Sequence, residues 1–140
     1  MPGDFLDTNV LVYAYDPTDR RKQKAAQGLL RKALGGEMTI SGQVLAEFAA
    51  TLFHKLSPPA SPEGVEAVLD ALGPIRLLPT DGEMVRRAVE AQASYGLHFY
   101  DALIIAAAER AGCVRIWSED FNAGQNYFGV TVENPFAAGI

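Results

Sequence analysis

The sequence predicts an α/β fold built around a parallel sheet, and two patterns lead to this prediction. Short runs of apolar, β-favouring residues recur along the chain, and longer segments with the 3.6-residue apolar period of helices lie between them. Such alternation is typical of βαβ units, in which a helix joins two parallel strands. The 140 residues, 49% of them hydrophobic, are enough for one core, so a single domain spanning residues 1–140 is expected.

Five strands are expected in this sheet, and they are Asp4–Asp7, Met38–Ile40, Arg76–Leu78, Cys113–Trp117 and Val130–Val132. A helix should follow the first strand directly, because an Asp-Thr pair such as Asp7-Thr8 commonly caps a helix. The next helix is basic. It should begin near Thr18 or Asp19 and end at Gly35-Gly36, since glycine commonly terminates helices.

Two further helices are expected on either side of a proline-containing stretch. The first follows Ser41 and buries the side that carries Val44 and Phe48. The second should begin at Ser61-Pro62, because serine caps helices and proline suits their first turn. The stretch between them, Ser57–Pro62, is interpreted as a loop, since neither half of the chain is long enough for a separate core.

The last two helices are predicted from a capping pattern and from an apolar run. Thr80 and Glu83 have the spacing of a capping box, so a helix should begin at Thr80. The final helix, Tyr100–Ala111, should end at Gly112. Because its stretch Ala102–Ala108 is apolar on every side, this helix is expected to be central and buried.

The composition disfavours several classes of protein. The longest apolar stretch, Ala102–Ala108, is far shorter than the roughly 20 residues of a membrane-spanning helix, so no membrane association is expected. Residues Met1–Asp4 show no basic region or cleavage site of a secretory signal. A lone cysteine, Cys113, cannot form an intrachain disulfide, and with His54 and His98 it has no zinc-ligand spacing. A cytoplasmic protein without zinc is therefore expected.

The net charge does not decide whether nucleic acid is a partner. A value of −5 is at first unfavourable, because phosphates are normally bound by an excess of lysine and arginine. If four of the 17 acidic residues share a site with divalent cations, however, the other acidic residues nearly balance the 12 lysines and arginines. A nucleic-acid partner therefore stays open.

Four acidic residues occupy positions that suit a ligand site. Asp7 ends the first predicted strand and Asp120 follows the fourth, and ligands of open α/β sheets bind beyond the carboxyl ends of strands. Asp101 opens the buried last helix, and Glu47 lies at the margin of an apolar helix stripe. Taken singly, each has an ordinary structural explanation: a helix cap for Asp7 and Asp101, a turn for Asp120, a solvated side chain for Glu47. Together they predict an acidic site.

A group of carboxylates makes physical sense as a site for a hard metal ion. Without a cation, the side chains repel one another and raise each other's pKa. Ligand sets made only of oxygen favour Mg²⁺ or Mn²⁺. One such ion activates water and polarises a phosphoryl oxygen, while two ions about 4 Å apart stabilise both the attacking and the leaving oxygen. The acids therefore predict phosphodiester hydrolysis with one or two ions per site.

Four motifs follow one another in an order that spans nearly the whole chain: Asp7-Thr8-Asn9, Glu47, Tyr100–Ile104 and Ser118-Glu119-Asp120. This ordered set resembles the PIN-domain family, and within it the VapC-like ribonuclease toxins of type II toxin–antitoxin systems. The stretch Asn126–Phe136 also resembles the ending of many VapC-like toxins. The resemblance implies a three-layer α/β/α sandwich with a central parallel sheet of about five strands, and it implies endoribonuclease activity.

The resemblance also implies roles for the motif residues. Asp7 and Asp101 would be the principal metal ligands, and Glu47 and Asp120 would complete the catalytic site directly or through water. Two neighbours, Asn9 and Ser118, would support these carboxylates. Ser118 stands where the family often has threonine, and it keeps the hydroxyl.

Glu119 is the alternative to Asp120 as the fourth acid, because the two are adjacent. Side chains alternate in direction at a strand end, so only one of the two is expected to enter the cleft. Asp120 is preferred for this position. The choice between them is open at the level of sequence.

Three partners follow from the resemblance: an RNA substrate, a second copy of the chain, and a cognate antitoxin protein that covers the acidic cleft. A basic antitoxin residue would supply positive charge to the carboxylates. The basic cluster on the second predicted helix, with Arg20, Arg21, Lys22 and Lys24, is a candidate surface for the RNA backbone. A solvated helix face is the favoured explanation of this cluster.

Two other functions remain as alternatives. A non-catalytic PIN-like binding module would keep the fold without the chemistry, although all four acids are present here. A Mg-dependent haloacid-dehalogenase-like phosphatase also has an aspartate after its first strand, but it requires a second aspartate two residues later. This chain has Asn9 at that position, which disfavours a covalent aspartyl-phosphate route.

Overall fold

A six-stranded sheet forms the centre of the molecule. The computed structural model describes residues 3–55 and 58–137. The strands are β1 (Asp4–Leu6), β2 (Met38–Ser41), β3 (Arg76–Leu78), β4 (Arg115–Trp117), β5 (Asn126–Tyr127) and β6 (Val130–Glu133). They lie in the order β3-β2-β1-β4-β6-β5, and all neighbours are parallel except β5 and β6. The α/β class with a mostly parallel sheet is thus confirmed, with one strand more than expected.

Helices connect the strands. They are α1 (Thr8–Tyr15), α2 (Arg20–Leu34), α3 (Gly42–His54), α4 (Pro62–Ala71), α5 (Gly82–Tyr95) and α6 (Phe99–Arg110). Helix α1 packs against α2 and α3, α3 also packs against α4, and α5 packs against α6. Within residues 3–55 and 58–137, no helix has the length and apolarity that crossing a membrane requires.

The strand order creates a switch point between β1 and β4. From β1 the chain moves outward through β2 to β3, and it then returns to place β4 on the other side of β1. Right-handed crossovers in opposite directions place their helices on opposite faces of the sheet. A crevice therefore opens beyond the carboxyl ends of β1 and β4, where ligands of such sheets bind. Leu6 pairs with Trp117, so the residues that follow these two strands lie side by side.

The core lies between the sheet and the helices, and α6 is its most buried helix. The seven residues Ala102–Ala108 are all buried, as their apolar run predicts. Phe5 and Ile116, on adjacent strands, have no exposed surface. This packing fixes the start of α6, and hence Asp101, against the sheet.

The helix starts confirm two sequence expectations and correct a third. Asp19 caps α2, and Ser61 caps α4 ahead of Pro62. Thr80 does not cap α5. The cap is Asp81, whose carboxylate accepts the N–H of Met84 at 3.0 Å. Because the same carboxylate binds Arg110 at 2.9 Å, tertiary contact favours the later start, and the predicted capping box is wrong.

The strand that the sequence analysis missed is β5, which forms a tight hairpin with β6. Phe128 and Gly129 make the turn, with φ values of 51° and 87°. A left-handed conformation is unusual for phenylalanine. It is held here because the Phe128 N–H donates to the Tyr95 hydroxyl at 2.9 Å and the Arg87 guanidinium lies 3.6 Å from the centre of the Phe128 ring.

The remaining sequence expectations agree with the structure to within two residues at each element end. Glu47 lies in α3 as expected, and the buried residues of that helix include Val44 and Phe48. Ser57, at the start of the predicted loop, lies outside the described residues.

Candidate active site

Asp7 lies where β1 passes into α1, and it is only 4% exposed. One carboxylate oxygen, Oδ1, accepts the N–H of Thr8 at 2.7 Å, while Oδ2 accepts the hydroxyl of Ser118 at 2.7 Å. Its own N–H donates to the carbonyl of Trp117 at 3.1 Å. Asp7 therefore caps α1 and also lines the cleft beyond β1 and β4, so the two interpretations from sequence are compatible.

The environment of Asp7 opposes its negative charge. Burial raises the pKa of Asp7 from 3.8 to about 7, and the charges of Asp120 and Glu47 add to this effect. The hydrogen bonds from Ser118 and Thr8 act in the opposite direction but do not outweigh burial. A nearby cation would stabilise the ionised form.

Asp101 lies in the first turn of α6 and faces the same cleft. It is not the helix cap. The cap is His98, whose Nδ1 accepts the N–H of Tyr100 at 3.4 Å, but the first-turn position that the sequence indicated for Asp101 is confirmed. Burial and the charge of Asp120 raise the pKa of Asp101; His98 opposes this rise and Glu47 adds to it.

Glu47 reaches the cleft from the middle of α3. Its Oε1 accepts the hydroxyl of Thr8 at 2.7 Å, which links α3 to the residue that follows Asp7. The carboxylate is therefore oriented by a side chain from α1 rather than solvated freely. Of the two positions that the sequence left open for Glu47, a cleft edge and bulk solvent, the structure has the cleft edge.

Asp120 is held beside Asp7 by the two neighbours that the resemblance singled out. The amide Nδ2 of Asn9 donates to Asp120 Oδ2 at 3.1 Å and to Ser118 Oγ at 3.3 Å. Ser118 Oγ also accepts the N–H of Asp120 at 3.1 Å. Asn9 and Ser118 thus connect the carboxylates that follow β1 and β4.

Glu119 points away from the cleft. One carboxylate oxygen accepts the Tyr13 hydroxyl at 2.7 Å, and the other forms an ion pair with Lys22. Burial alone would raise the pKa of Glu119, but the hydrogen bonds from Lys22 and Tyr13 outweigh burial and hold it below its usual value. The cleft is lined by Asp120 and not by Glu119. Side chains alternate in direction after β4, and Asp120 is the one on the cleft side, as the sequence analysis preferred.

The cleft is an open cavity of about 610 Å³, within the usual range for binding pockets. Its lining includes all four acids and several residues that the sequence analysis did not assign to it: Val12, Gln43, Ala50, Thr51, His54, Lys55 and Ile104. The α3 members of this set are spaced three or four residues from Glu47 or from each other. Helical periodicity counted from Glu47 would have found them.

Two observations bear on whether a divalent cation fits here. Within residues 3–55 and 58–137, no three His, Cys, Asp or Glu side chains stand close enough together to hold one ion jointly. Mg²⁺, however, is usually held by one or two carboxylates and keeps several waters. Gln43 Oε1 is buried in the cleft wall without a hydrogen-bond partner among the described residues, while its Nε2 donates to the Tyr100 carbonyl at 3.0 Å. An acceptor oxygen without a partner, beside carboxylates that repel one another, fits a hard cation that keeps part of its hydration water.

The basic cluster of α2 lies elsewhere. None of Arg20, Arg21, Lys22 and Lys24 is among the residues that line the cleft. Lys22 pairs with Glu119, and Arg21 Nη2 donates to the Phe136 carbonyl at 3.2 Å. Two of the four basic side chains therefore have partners within the protein.

Comparison with known proteins gives a family match and a set of similar structures. A model of the PIN domain matches residues 5–128. A toxin–antitoxin complex from Klebsiella pneumoniae is 18% identical, with a TM-score of 0.70 over 96% of this chain and 98% of that chain.

Two further structures are similar to the same degree. VapC20 of Mycobacterium tuberculosis, a toxin that cleaves the sarcin–ricin loop, is 18% identical, with a TM-score of 0.67 over 92% of this chain and 99% of that chain. DNA-bound VapBC from Salmonella typhimurium is 18% identical, with a TM-score of 0.70 over 96% and 99%. At these identities the similarity shows a common fold. No curated protein matches the sequence.

Proposed function

The chain belongs to the PIN-domain family, and from this premise we propose that it is a metal-dependent endoribonuclease, the toxin of a toxin–antitoxin pair. One observation carries the proposal: Asp7, Glu47, Asp101 and Asp120 come from four separate segments and line one cleft at the switch point of the sheet. Such a cleft is costly for the fold alone, since burial and the neighbouring carboxylates oppose the ionisation of Asp7 and Asp101. They are useful where cations and a phosphodiester meet.

The proposed metal ligands are Asp7 and Asp101, with Glu47 and Asp120 completing the site directly or through water. The ion is Mg²⁺ or Mn²⁺, because the donors are all oxygen. When bound, one or two such ions supply an activated water nucleophile and stabilise negative charge on the phosphoryl oxygens.

The protein's own groups fix the carboxylates. Ser118 holds Asp7 Oδ2, and Thr8 holds Asp7 Oδ1 through its N–H and Glu47 through its hydroxyl. Asn9 binds Asp120 and Ser118 at once, and so links the segments that follow β1 and β4. Such hydrogen bonds commonly orient metal ligands and raise the affinity of the site. Val12 and Ile104 add apolar surface to the cleft wall.

The proposed partners are an RNA substrate, a cognate antitoxin and a second copy of the chain. Similarity to toxin–antitoxin complexes supports the antitoxin. The cleft's excess of carboxylates suits an antitoxin basic residue, which would neutralise the charge when no metal is bound.

The function is tested by incubating the purified protein with a pool of structured RNAs in Mg²⁺, in Mn²⁺ and in EDTA. We expect cleavage only with the metals, and none by Asp101→Asn. The matched control is Glu66→Gln, which changes an exposed acid on α4 and should cleave as the parent does. Cleavage that persists in EDTA, or in a folded Asp101→Asn variant, would contradict the proposal.

The same experiment separates the alternatives. A folded, inhibitor-free protein that cuts no RNA in either metal would favour a non-catalytic binding module. Turnover of a phosphomonoester by the same preparation would favour the phosphatase. The phosphatase requires an aspartate at the position of Asn9. The side-chain amide of Asn9 instead contacts Ser118, Glu119 and Asp120, which disfavours this alternative.

A further inference from the structure

The cleft has a basic end opposite its acids. One face of α3 lines it with residues that include Gln43, Glu47, Thr51 and His54, and Lys55 lines it from the C-terminal cap of the helix. Residues spaced three or four apart share a helix face. At about 1.5 Å rise per residue, Lys55 lies about 12 Å along the axis from Glu47. A ligand that follows α3 therefore passes from the carboxylates to a cation.

The charge of Lys55 is not neutralised by the protein as described. Elsewhere the ion pairs of the chain engage the cations Lys22, Arg87, Arg110 and Arg115. Within residues 3–55 and 58–137, neither His54 nor Lys55 forms an ion pair. Asp16 lines the same cleft, but its Oδ1 accepts the N–H and the hydroxyl of Thr18, at 3.0 and 2.7 Å.

We propose that Lys55, with His54 beside it, binds a phosphate of the RNA strand on one side of the scissile bond. The inference rests on the proposed ribonuclease function and adds a substrate-binding site to it. RNA is a polyanion, so carboxylates that accept cations at the scissile group also repel the flanking phosphates. A lysine farther along the cleft offsets this repulsion.

The presence of a lysine at the end of α3 can be explained without RNA binding. A cation at a helix C-terminus is favoured by the helix dipole. This accounts for a lysine at the end of α3 but not for its place in the wall of the acidic cleft. The α2 cluster, for which the sequence analysis favoured a solvated helix face over an RNA surface, contributes nothing to that wall. The proposed phosphate contact therefore lies at the end of α3.

The test measures binding separately from cleavage. Asp101→Asn protein in Mg²⁺ is titrated into a short, fluorescein-labelled single-stranded RNA of mixed sequence, and fluorescence anisotropy gives the affinity at several salt concentrations. Lys55→Ala in this background should weaken binding several-fold at low salt. It should also reduce the slope of log affinity against log salt by about 0.7, the value for one phosphate contact on a single strand. Lys55→Arg should keep the slope.

The control is Arg86→Ala, which removes an exposed cation of α5 outside the cleft and should leave the slope unchanged. Lys55 is exposed, so a loss of folding is not expected, and circular dichroism checks it. Equal slopes for Lys55→Ala and its parent, with clear RNA binding by both, would overturn this inference and leave the ribonuclease proposal standing. No RNA binding by the parent at any salt would count against both.

Discussion

Replacing Asp7 by asparagine should remove a pH dependence from the stability of the metal-free protein. Asp7 is 4% exposed, and burial holds its pKa at about 7 in the folded protein against 3.8 for an unperturbed aspartate. Between these two values the folded state binds a proton that the unfolded state releases. The unfolding free energy of the parent therefore falls as pH rises through this window, whereas asparagine has no proton to lose.

The size of the effect follows from the same two values. One pKa unit corresponds to about 1.4 kcal/mol, so the shift amounts to about 4 kcal/mol as an upper limit. Asparagine also changes the contact with Ser118, whose hydroxyl donates to Asp7 while accepting from Asn9 and Asp120. That change costs about 1–3 kcal/mol. Because it does not vary with pH, it shifts the whole curve and leaves the pH dependence intact.

The assay is urea unfolding of the parent and Asp7→Asn in EDTA, at intervals from about pH 4 to about pH 8. The difference in unfolding free energy should move in favour of Asp7→Asn by up to about 4 kcal/mol across this range. Asp70→Asn, at an exposed position of α4, serves as the control and should show a constant difference. A constant difference for Asp7→Asn as well would refute the inference that Asp7 is held near neutrality by burial.

Three further predictions concern the same cleft. Mn²⁺ or Mg²⁺ should raise the thermal unfolding midpoint of the parent and have little effect on Asp7→Asn, as measured by calorimetry; equal shifts in both would place the ion elsewhere. Asp120→Asn should abolish RNA cleavage while Glu119→Gln keeps it, because only Asp120 lines the cleft, and the reverse result would exchange their roles. Ser118→Ala should lower the unfolding free energy by about 1–3 kcal/mol and reduce kcat, since three hydrogen bonds lose their shared partner; unchanged kcat would show that these bonds do not position the acids.

Much of the fold follows from local patterns, and the exceptions have local causes. The parallel strands were predictable because each is a short apolar run next to a helix-forming segment. β5 was not, because Asn126-Tyr127 is only two residues long and is fixed by its pairing with β6. The start of α5 was misplaced because Thr80 and Asp81 both suit a cap, and Arg110, from a distant helix, favours the second.

The candidate site was predictable to a different degree for each residue. Asp7 and Asp120 follow strands, so their place at the sheet edge is a consequence of topology. The direction of Glu119 depends on Tyr13 and Lys22, which lie on α1 and α2, and the sequence alone does not show that these side chains meet it. Lys55 gave no signal, because a single lysine at a helix end is common.

The four acids enter the cleft from the start of α1, from α3, from α6 and from the segment after β4. That last segment is anchored by β6, since the N–H of Ser118 donates to the carbonyl of Glu133. During synthesis, a growing chain that has not yet emerged past Glu133 lacks this anchor, even when Asp7, Glu47 and Asp101 are already outside the ribosome. Any activity that needs all four carboxylates in place therefore requires that the chain has emerged through Glu133.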